Sequence, residues 1–276
     1  MIEFYKMSGS GNDFILIDNR EHAVEAAIGS RTVVDFVKAV CEPKVSLGAD
    51  GLILIQTSGK ANFAWRFFNA DGSEVEMCGN GGRCAARFAF LKGIAPERMS
   101  FETVAGIIDA EVKQNVVKLR LTDPFDLRLG EALSIDGRDY KVDSVNTGVP
   151  HAVYFVDNVA SCDVFEIGRK MRYHDQYQPR GTNANFVEPV DRHALKVRTY
   201  ERGVEDETLA CGTGSVASAV VAAARGLVES PVAVEVRSGE TLTIYFEKTS
   251  QGFERIYLEG QAKVVCEGRL WEEAYQ

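Results

Sequence analysis

The sequence contains the same unusual layout twice, and this duplication constrains the fold more than any other feature. "CGNG" begins at Cys78, and "CGTG" begins at Cys211. In both copies a glycine follows 15 residues after the cysteine and a second glycine 28 residues after it. A chain that repeats such a layout is expected to fold as two similar structural units.

Each copy predicts several strands, a glycine-rich turn that carries the cysteine, one helix, and a β-hairpin or meander. Strand-like runs precede the cysteines ("FAWRFFNADG", "LKVRTYERG"), and two further strands are expected after each helix. No charged residue occurs from Ser215 to Ala224, and the first helix is rich in Ala and Phe, so both helices are predicted to be buried. The predicted fold is α+β, with two pseudo-symmetric domains. Each domain is a curled, mostly antiparallel β-sheet or barrel wrapped around a central buried helix.

The domain boundary is predicted within "LTDPFDLRLG", where Pro124 interrupts the strand pattern. Residues 1–124 then form the N-terminal half, which carries Cys78, and residues 125–265 form the half that carries Cys211. No long flexible linker separates them.

The charge balance argues against a nucleic-acid or membrane partner. The 276 residues carry a formal net charge of −9, and no run of basic residues occurs. The N-terminal "MIEFYKMSGSGNDF" lacks the pattern of a signal peptide, and no apolar stretch is long enough to span a bilayer. The six cysteines are too sparse for a disulfide scaffold, so we expect a reducing, cytoplasmic location.

A cysteine at the start of a helix has a chemical meaning. The first turn exposes unpaired backbone N–H groups and the positive end of the helix dipole, which favour an anion and lower a thiol pKa. Glycines such as Gly79 and Gly212 allow a ligand to approach that backbone closely. A single cysteine of this kind is as often structural as functional, but two at matching positions favour function.

Two opposed thiols on a pseudo-twofold axis would suit racemisation or epimerisation without a cofactor or metal. One thiolate would remove an α-proton, and the other thiol would deliver a proton to the opposite face. A thiol hydrolase or transferase with His151 as its base is an open alternative. The P-loop, dinucleotide and zinc patterns do not match these turns.

Six stretches resemble the diaminopimelate epimerase family, whose relatives include proline racemase. The resemblance runs over essentially the whole chain and rests on "SGSGNDFILID", "LGADG", "FNADGSEVEMCGNGGRC", "GVPHAV", "RGTNANFV" and "YERGVEDETLACGTGS". Asn80 favours this family over proline racemase, which typically has His at that position. The resemblance also implies that residues 266–276 return to the first domain.

The resemblance implies a role for each matching residue. Cys78 and Cys211 correspond to the catalytic acid/base pair. His151, a supporting residue, and Glu201 correspond to polar residues beside the thiols. The substrate-binding residues that it implies are Asn12, Asn69, Gly79, Asn80, Asn183, Glu201, Arg202, Gly212 and Thr213.

These binding residues divide between the two ends of the substrate. Backbone groups at Gly79, Asn80, Gly212 and Thr213, with Asn12 nearby, correspond to the reacting α-carboxylate end. Asn69, Asn183, Glu201 and Arg202 correspond to the far amino-acid end, where a guanidinium suits a carboxylate. Without the resemblance, Asn12 and Asn69 would be interpreted as turn formers, and His151 as a buried structural histidine. The remaining cysteines are interpreted as structural: Cys41, Cys84, Cys162 and Cys266.

The sequence also departs from the family pattern. Val149 stands where the family often has Asn, and Gly51 where some relatives have a contacting Gln. The loop at Glu42, Pro43 and Lys44 is atypical as well. These positions concern the range of substrates and do not touch the thiols.

The function predicted is cofactor-independent epimerisation of LL-2,6-diaminopimelate to meso-diaminopimelate by a two-cysteine acid/base mechanism. It belongs to lysine and peptidoglycan-precursor biosynthesis, and we expect a homodimer. One alternative is a related racemase for a proline-like substrate, histidine or glutamate. Another is a non-catalytic amino-acid-binding protein, which the retention of both cysteines argues against.

Overall fold

The computed structural model describes residues 1–276, and the chain divides into two compact units. Unit 1 comprises Met1–Leu119 together with Gly260–Gln276, and unit 2 comprises Arg120–Glu259. The C-terminal segment therefore packs as part of unit 1. No helix in the chain combines the length and the apolar character that crossing a membrane requires.

Unit 1 consists of a mostly antiparallel sheet and three helices. The helices are α1 (Ala23–Ile28), α2 (Val33–Cys41) and α3 (Gly79–Leu91). The strands are β1 (Ile2–Gly9), β2 (Asn12–Asp18), β3 (Gly51–Gln56), β4 (Phe63–Asn69), β5 (Glu74–Val75), β6 (Arg98–Thr103), β7 (Gly106–Lys113) and β8 (Val116–Arg120).

Unit 2 is built in the same way. Its helices are α4 (Val164–Tyr173) and α5 (Gly212–Ala224), with short 3-10 turns at Val159–Ser161 and Asp175–Tyr177. Its strands are β9 (Phe125–Ile135), β10 (Arg138–Asn146), β11 (Pro150–Phe155), β12 (Asn183–Asp191), β13 (Ala194–Glu201), β14 (Asp206–Thr208), β15 (Val232–Val236), β16 (Thr241–Thr249) and β17 (Gly252–Gln261). The last strand, β18 (Lys263–Leu270), belongs to unit 1, where it pairs antiparallel with β1, and a 3-10 turn at Glu272–Ala274 follows it.

The strand pairings repeat from one unit to the other. In unit 1 the order is β1-β2-β3-β4-β6-β7-β8, and in unit 2 it is β10-β11-β12-β13-β15-β16-β17. Two pairs in each order are parallel, and they fall at equivalent places: β2–β3 and β4–β6, then β11–β12 and β13–β15. The duplication seen in the sequence is therefore a duplication of topology.

The two cysteine-bearing helices, α3 and α5, have 13 residues each and lie against the strands of their own units. Both end in the same motif. At Gly93 and Gly226 the backbone adopts positive φ, and the N–H of the next residue bonds back into the last turn, from Ile94 to Ala89 and from Leu227 to Ala222. This is a Schellman ending, which favours glycine at the left-handed position.

The predicted fold class is confirmed, with two corrections of detail. Three strands, not two, follow each buried helix: β6, β7 and β8 follow α3, and β15, β16 and β17 follow α5. In unit 1 the turn between β7 and β8 has Gln114 at φ 58°. Leu91, the last residue of α3, is 45% exposed, so the C-terminal end of this helix is not buried as predicted. The core of unit 2 around α5 is apolar throughout, consistent with the charge-free stretch in that helix.

Candidate active site

In unit 1, Cys78 is the N-cap residue of α3. Its backbone is extended (φ −144°, ψ 121°), and its carbonyl accepts the first helical hydrogen bond from Gly82 N at 2.8 Å. The N–H groups that precede Gly82 therefore lie in the first turn, where a helix supplies no acceptor for them. The predicted thiol-bearing helix start is present in the fold.

Gly79 is not required by packing within the protein. A Cβ atom built there would meet no protein atom within 4 Å, whereas one built on Gly81 or Gly82 would touch core side chains. The backbone of Gly79 is thus open to a ligand, as expected for a residue that binds an anion through its N–H group.

Asn12 and Asn80 are brought together in unit 1. Nδ2 of Asn80 donates to Oδ1 of Asn12 at 2.7 Å, although 68 residues separate them in the chain. Nδ2 of Asn12 in turn donates to a carboxylate oxygen of Asp50 at 2.9 Å. The side chain of Asn80 is therefore hydrogen-bonded to Asn12. The backbone N–H of Asn80 is the group of this residue that can bind a ligand.

Asn69 lies at the end of β4 and is exposed. Its amide Nδ2 donates to the Ser73 hydroxyl at 3.1 Å, and its backbone N–H bonds to the Ser73 carbonyl at 2.9 Å. These are the contacts of a turn residue, and the role of Asn69 toward a substrate remains a prediction.

In unit 2, Cys211 is the N-cap residue of α5 and is buried. Its carbonyl accepts from Ser215 N at 2.9 Å, and its Sγ lies 3.5 Å from the Thr213 hydroxyl. The thiol also hydrogen-bonds the carboxyl group of Glu201, which the Thr208 hydroxyl binds at 3.0 Å. A thiol at a helix start is thus paired with a potential proton acceptor.

Burial raises the pKa of Glu201, and the hydrogen bonds from Thr208 and Cys211 oppose that rise only in part. A carboxylate in such surroundings is a stronger base than one in water, because the neutral form is favoured. Glu201 is accordingly suited to share a proton with Cys211. The family resemblance places it beside a thiol and at the far end of the substrate, and in unit 2 it contacts the thiol.

His151 is almost fully buried on β11. Its Nδ1 lies 3.1 Å from Nδ2 of Asn185, and burial, together with the nearby charge of Arg202, lowers its pKa to about 3. Nδ2 of Asn185 also donates at 2.9 Å to the carbonyl of Ala152, which can only accept, so Nδ2 and not Oδ1 faces the ring. His151 is therefore neutral, and its proton lies on Nε2, a buried atom without a hydrogen-bond partner.

The side chain of Asn183 is hydrogen-bonded to the backbone of Arg202. Oδ1 of Asn183 accepts from the Arg202 backbone N–H at 2.8 Å, while Nδ2 donates to the Pro150 carbonyl at 3.1 Å. The Arg202 guanidinium donates to the Arg180 carbonyl at 3.0 Å. Asn183 thus fixes the backbone from which Arg202 projects.

Several polar residues at these positions were not predicted from the sequence, namely Ser10, Asp50, Arg83, Asn185, Thr199 and Thr208. Asn185 left a usable signal, because it follows Asn183 by two residues on β12 and so lies on the same face of the strand. The others left none, since each contributes only through contacts made after the chain folds.

The comparison with known sequences decides the family. The model of the diaminopimelate epimerase family matches residues 4–124 and 144–265, and these ranges contain all the residues predicted for the site. The chain belongs to the diaminopimelate epimerase family. The diaminopimelate epimerase of Aquifex aeolicus is 49% identical over the full length of both chains. That of a Hydrogenobaculum species is 45% identical over 98% of this chain and 99% of its own.

Solved structures outside the family share the fold. A phenazine biosynthesis protein of the PhzF family from Bacillus anthracis aligns with a TM-score of 0.75 at 16% identity, over 98% of this chain and 99% of its own. A hydroxyproline epimerase from Agrobacterium vitis aligns with a TM-score of 0.70 at 13% identity, over 97% of this chain and 91% of its own. At such identities the likeness concerns the fold alone, and it agrees with the two repeated units.

Proposed function

We propose that this protein epimerises LL-2,6-diaminopimelate to meso-diaminopimelate in lysine and peptidoglycan-precursor biosynthesis. The observation that carries the proposal is the family membership, which a relative matches over the whole chain, joined to one N-cap cysteine in each repeated unit. The first turns of α3 and α5 both supply N–H groups for an anion, as an α-carboxylate requires.

The reaction proposed uses Cys78 and Cys211 as an acid/base pair. One thiolate takes the α-proton, and the electron pair of the C–H bond passes into the α-carboxylate. The resulting enediolate-like anion is stabilised by the backbone N–H groups at the helix starts. The other thiol then donates its proton to the opposite face of the α-carbon, which inverts the centre and leaves the two thiols with exchanged protonation states.

Two polar residues in unit 2, Glu201 and His151, assist these proton transfers. Glu201, whose pKa is raised, accepts the Cys211 proton when that residue acts as the base. His151 stays neutral and offers an N–H at Nε2, so it adds no charge that would oppose or overstabilise a thiolate. No PLP is proposed, because the paired thiols supply both proton transfers.

The far end of the substrate carries a second ammonium and carboxylate. We propose that Arg202 pairs with this carboxylate, with Asn183 and Asn69 as hydrogen-bonding partners of the same end. Support comes from the backbone of Arg202, which the Asn183 amide holds at 2.8 Å. A site that hydrogen-bonds a group discriminates strongly against analogues that lack it.

Proton NMR in D₂O tests the proposal directly. The purified protein is incubated with LL-diaminopimelate and reductant, without added PLP, and deuterium incorporation at Cα and the appearance of the meso isomer are followed. Cys78→Ser and Cys211→Ser are compared with Cys266→Ser, which removes an exposed thiol. Inversion in the wild type and in Cys266→Ser, lost in the other two variants, supports the mechanism. Absence of exchange with this substrate refutes it and calls for a panel of other amino acids.

Assembly and location are proposed on the sequence argument alone. We propose a homodimer in the cytoplasm. Light scattering coupled to size-exclusion chromatography gives the mass directly, and a value near 30.3 kDa, the mass of one chain, would contradict the dimer.

A further inference from the structure

Arg83 is a charged residue that is completely buried in unit 1. It lies on α3 five residues after Cys78, and its side chain is 0% exposed. Nη2 donates to the Ser10 hydroxyl at 2.6 Å and to Oδ1 of Asn80 at 3.0 Å, and other guanidinium atoms reach the carbonyls of Gly79 and Gln261 at 3.4 and 3.3 Å. One guanidinium thus contacts both the thiol-bearing turn and the turn between β1 and β2.

The contacts of Arg83 give direction to a chain of hydrogen bonds. A guanidinium only donates, so Oδ1 of Asn80 faces Arg83 and Nδ2 of Asn80 faces Asn12. Asn12 must then present Oδ1 to Asn80 and Nδ2 to Asp50, whose carboxylate only accepts. Arg83 at one end of this chain only donates, and Asp50 at the other end only accepts. The side-chain amides of Asn80 and Asn12, which lie between them, can therefore adopt only one orientation each.

The equivalent position in unit 2 shows that packing against the helix does not require a guanidinium at the place of Arg83. Five residues after Cys211 on α5 stands Val216, which is also 0% exposed. Burying a charged group costs free energy that an aliphatic side chain does not. An arginine at this place in unit 1 therefore serves the polar groups around it.

We propose that Arg83 is a positioning residue, which fixes the Asn80 side chain and through it Asn12, with Asp50 closing the chain of hydrogen bonds. The inference rests on the proposed function, since the family resemblance assigns the backbone of Asn80 and the nearby Asn12 to the α-carboxylate end of the substrate. Arg83 itself is enclosed by protein and contacts no substrate. Its effect reaches the reaction through the geometry of the turn at Gly79 and Asn80.

Kinetics of four variants test this role. Arg83→Lys keeps the charge but cannot bridge Ser10 and Asn80 in the same way, and we expect kcat/KM to fall about 100-fold, as for a reacting group displaced by about 1 Å. Ser10→Ala and Asp50→Asn are milder, with falls of about tenfold. The matched control is Arg87→Met, one turn later on α3, where the guanidinium donates to the backbone carbonyl of Ala262. We expect that control to stay within about threefold of wild type.

A double-mutant cycle separates positioning from general destabilisation. If Arg83 acts through Asn12, Arg83→Lys should cost far less in an Asn12→Ala background than in the wild type. Equal losses in both backgrounds would overturn the proposal. If Arg83→Lys does not fold, the same cycle is run with Ser10→Ala, which removes one acceptor of the guanidinium.

A measurement without substrate distinguishes this inference from the proposed function. In ¹⁵N–¹H NMR spectra the side-chain amide of Asn80 should be protected from solvent exchange, and we expect that exchange to rise at least about tenfold in Arg83→Lys. Unchanged exchange in a folded variant overturns the positioning role. An increase in a protein that proves inactive on diaminopimelate supports positioning while refuting the proposed substrate.

Discussion

The carboxyl group of Glu201 hydrogen-bonds the thiol of Cys211, and burial raises the pKa of that carboxyl group. The contact joins the end of β13 to the start of α5, so the fold of unit 2 itself brings an acid and a thiol together. Thr208 on the short strand β14 completes the arrangement by donating to the same carboxyl group. In the mechanism proposed above, Glu201 is the proton acceptor next to Cys211.

Glu201→Gln is expected to lower kcat by about 100-fold, because general acid/base assistance of this kind typically contributes that much or more. Since the pKa of Glu201 is raised, the wild-type rate should fall as pH is lowered through that raised value. Stability responds in the opposite sense. The folded state binds this proton more tightly than the unfolded state, so wild-type stability declines as pH rises from the ordinary Glu value toward the raised one.

The measurement combines pH–rate profiles with urea unfolding. Glu201→Gln should lose activity and yet equal or exceed the wild type in stability at pH 7, because it removes a carboxylate that the fold disfavours. Glu235→Gln, on an exposed face of β15, serves as the control and should change neither quantity. A Glu201→Gln protein with wild-type turnover would contradict the role of the pair.

The lowered pKa of His151 should make the stability of the fold depend on pH in the acidic range. Its pKa is lowered to about 3 by burial, whereas an unfolded histidine titrates at its ordinary value of 6.5. The unfolded state therefore binds the additional proton between these values, and stability falls as pH decreases from 6.5 toward 3. His151→Gln should flatten this decline in urea midpoints measured from pH 7 to pH 4. His22→Gln, which alters a ring whose side chain is 75% exposed, should leave the wild-type slope intact.

The sequence allowed a correct prediction wherever the signal was local. Cysteine followed by glycines and an apolar run specifies a helix start, and Gly93 and Gly226 specify the helix ends, so α3 and α5 were predictable from short stretches. The duplication then predicted two equivalent folds. The turn at Gln114 between β7 and β8 was not predicted, because a non-glycine residue at positive φ leaves no clear turn signal.

The polar partners of the site could not be predicted in the same way. Arg83 contacts Ser10 across 73 residues of sequence, and nothing in a single sequence indicates that the two will meet. Asn185 was predictable in principle from strand alternation, whereas the partners of His151 and Glu201 depend on the register of β11 to β14.

Cys41 should be chemically inert in the folded protein. It lies at the end of α2 in the core of unit 1, and burial raises its thiol pKa to about 12. Only the thiolate reacts with iodoacetamide, so Cys41 should remain unmodified at pH 8 while exposed Cys266 is alkylated. Peptide mass spectrometry before and after unfolding checks this, and rapid labelling of Cys41 in the native state would refute the buried placement.

Substitution by alanine should affect stability differently at two glycines, Gly79 at the start of α3 and Gly214 at the start of α5. A Cβ atom on Gly214 would lie 2.4 Å from Oδ1 of Asn185, the residue that orients His151. Gly214→Ala should therefore destabilise the protein by about 1–3 kcal/mol, because the neighbour must move. On Gly79 a Cβ atom meets no protein atom, so Gly79→Ala should change stability by less than about 0.5 kcal/mol.

The same Gly79→Ala change should nevertheless lower kcat/KM about tenfold or more, because the added methyl group stands where the substrate carboxylate must approach the backbone. Thermal unfolding and steady-state kinetics on both variants supply the comparison. Stable protein with reduced activity for Gly79→Ala, beside unstable protein for Gly214→Ala, assigns Gly79 to ligand approach and Gly214 to packing. Full activity in Gly79→Ala would remove that turn from the carboxylate site and shift the contact to Asn12.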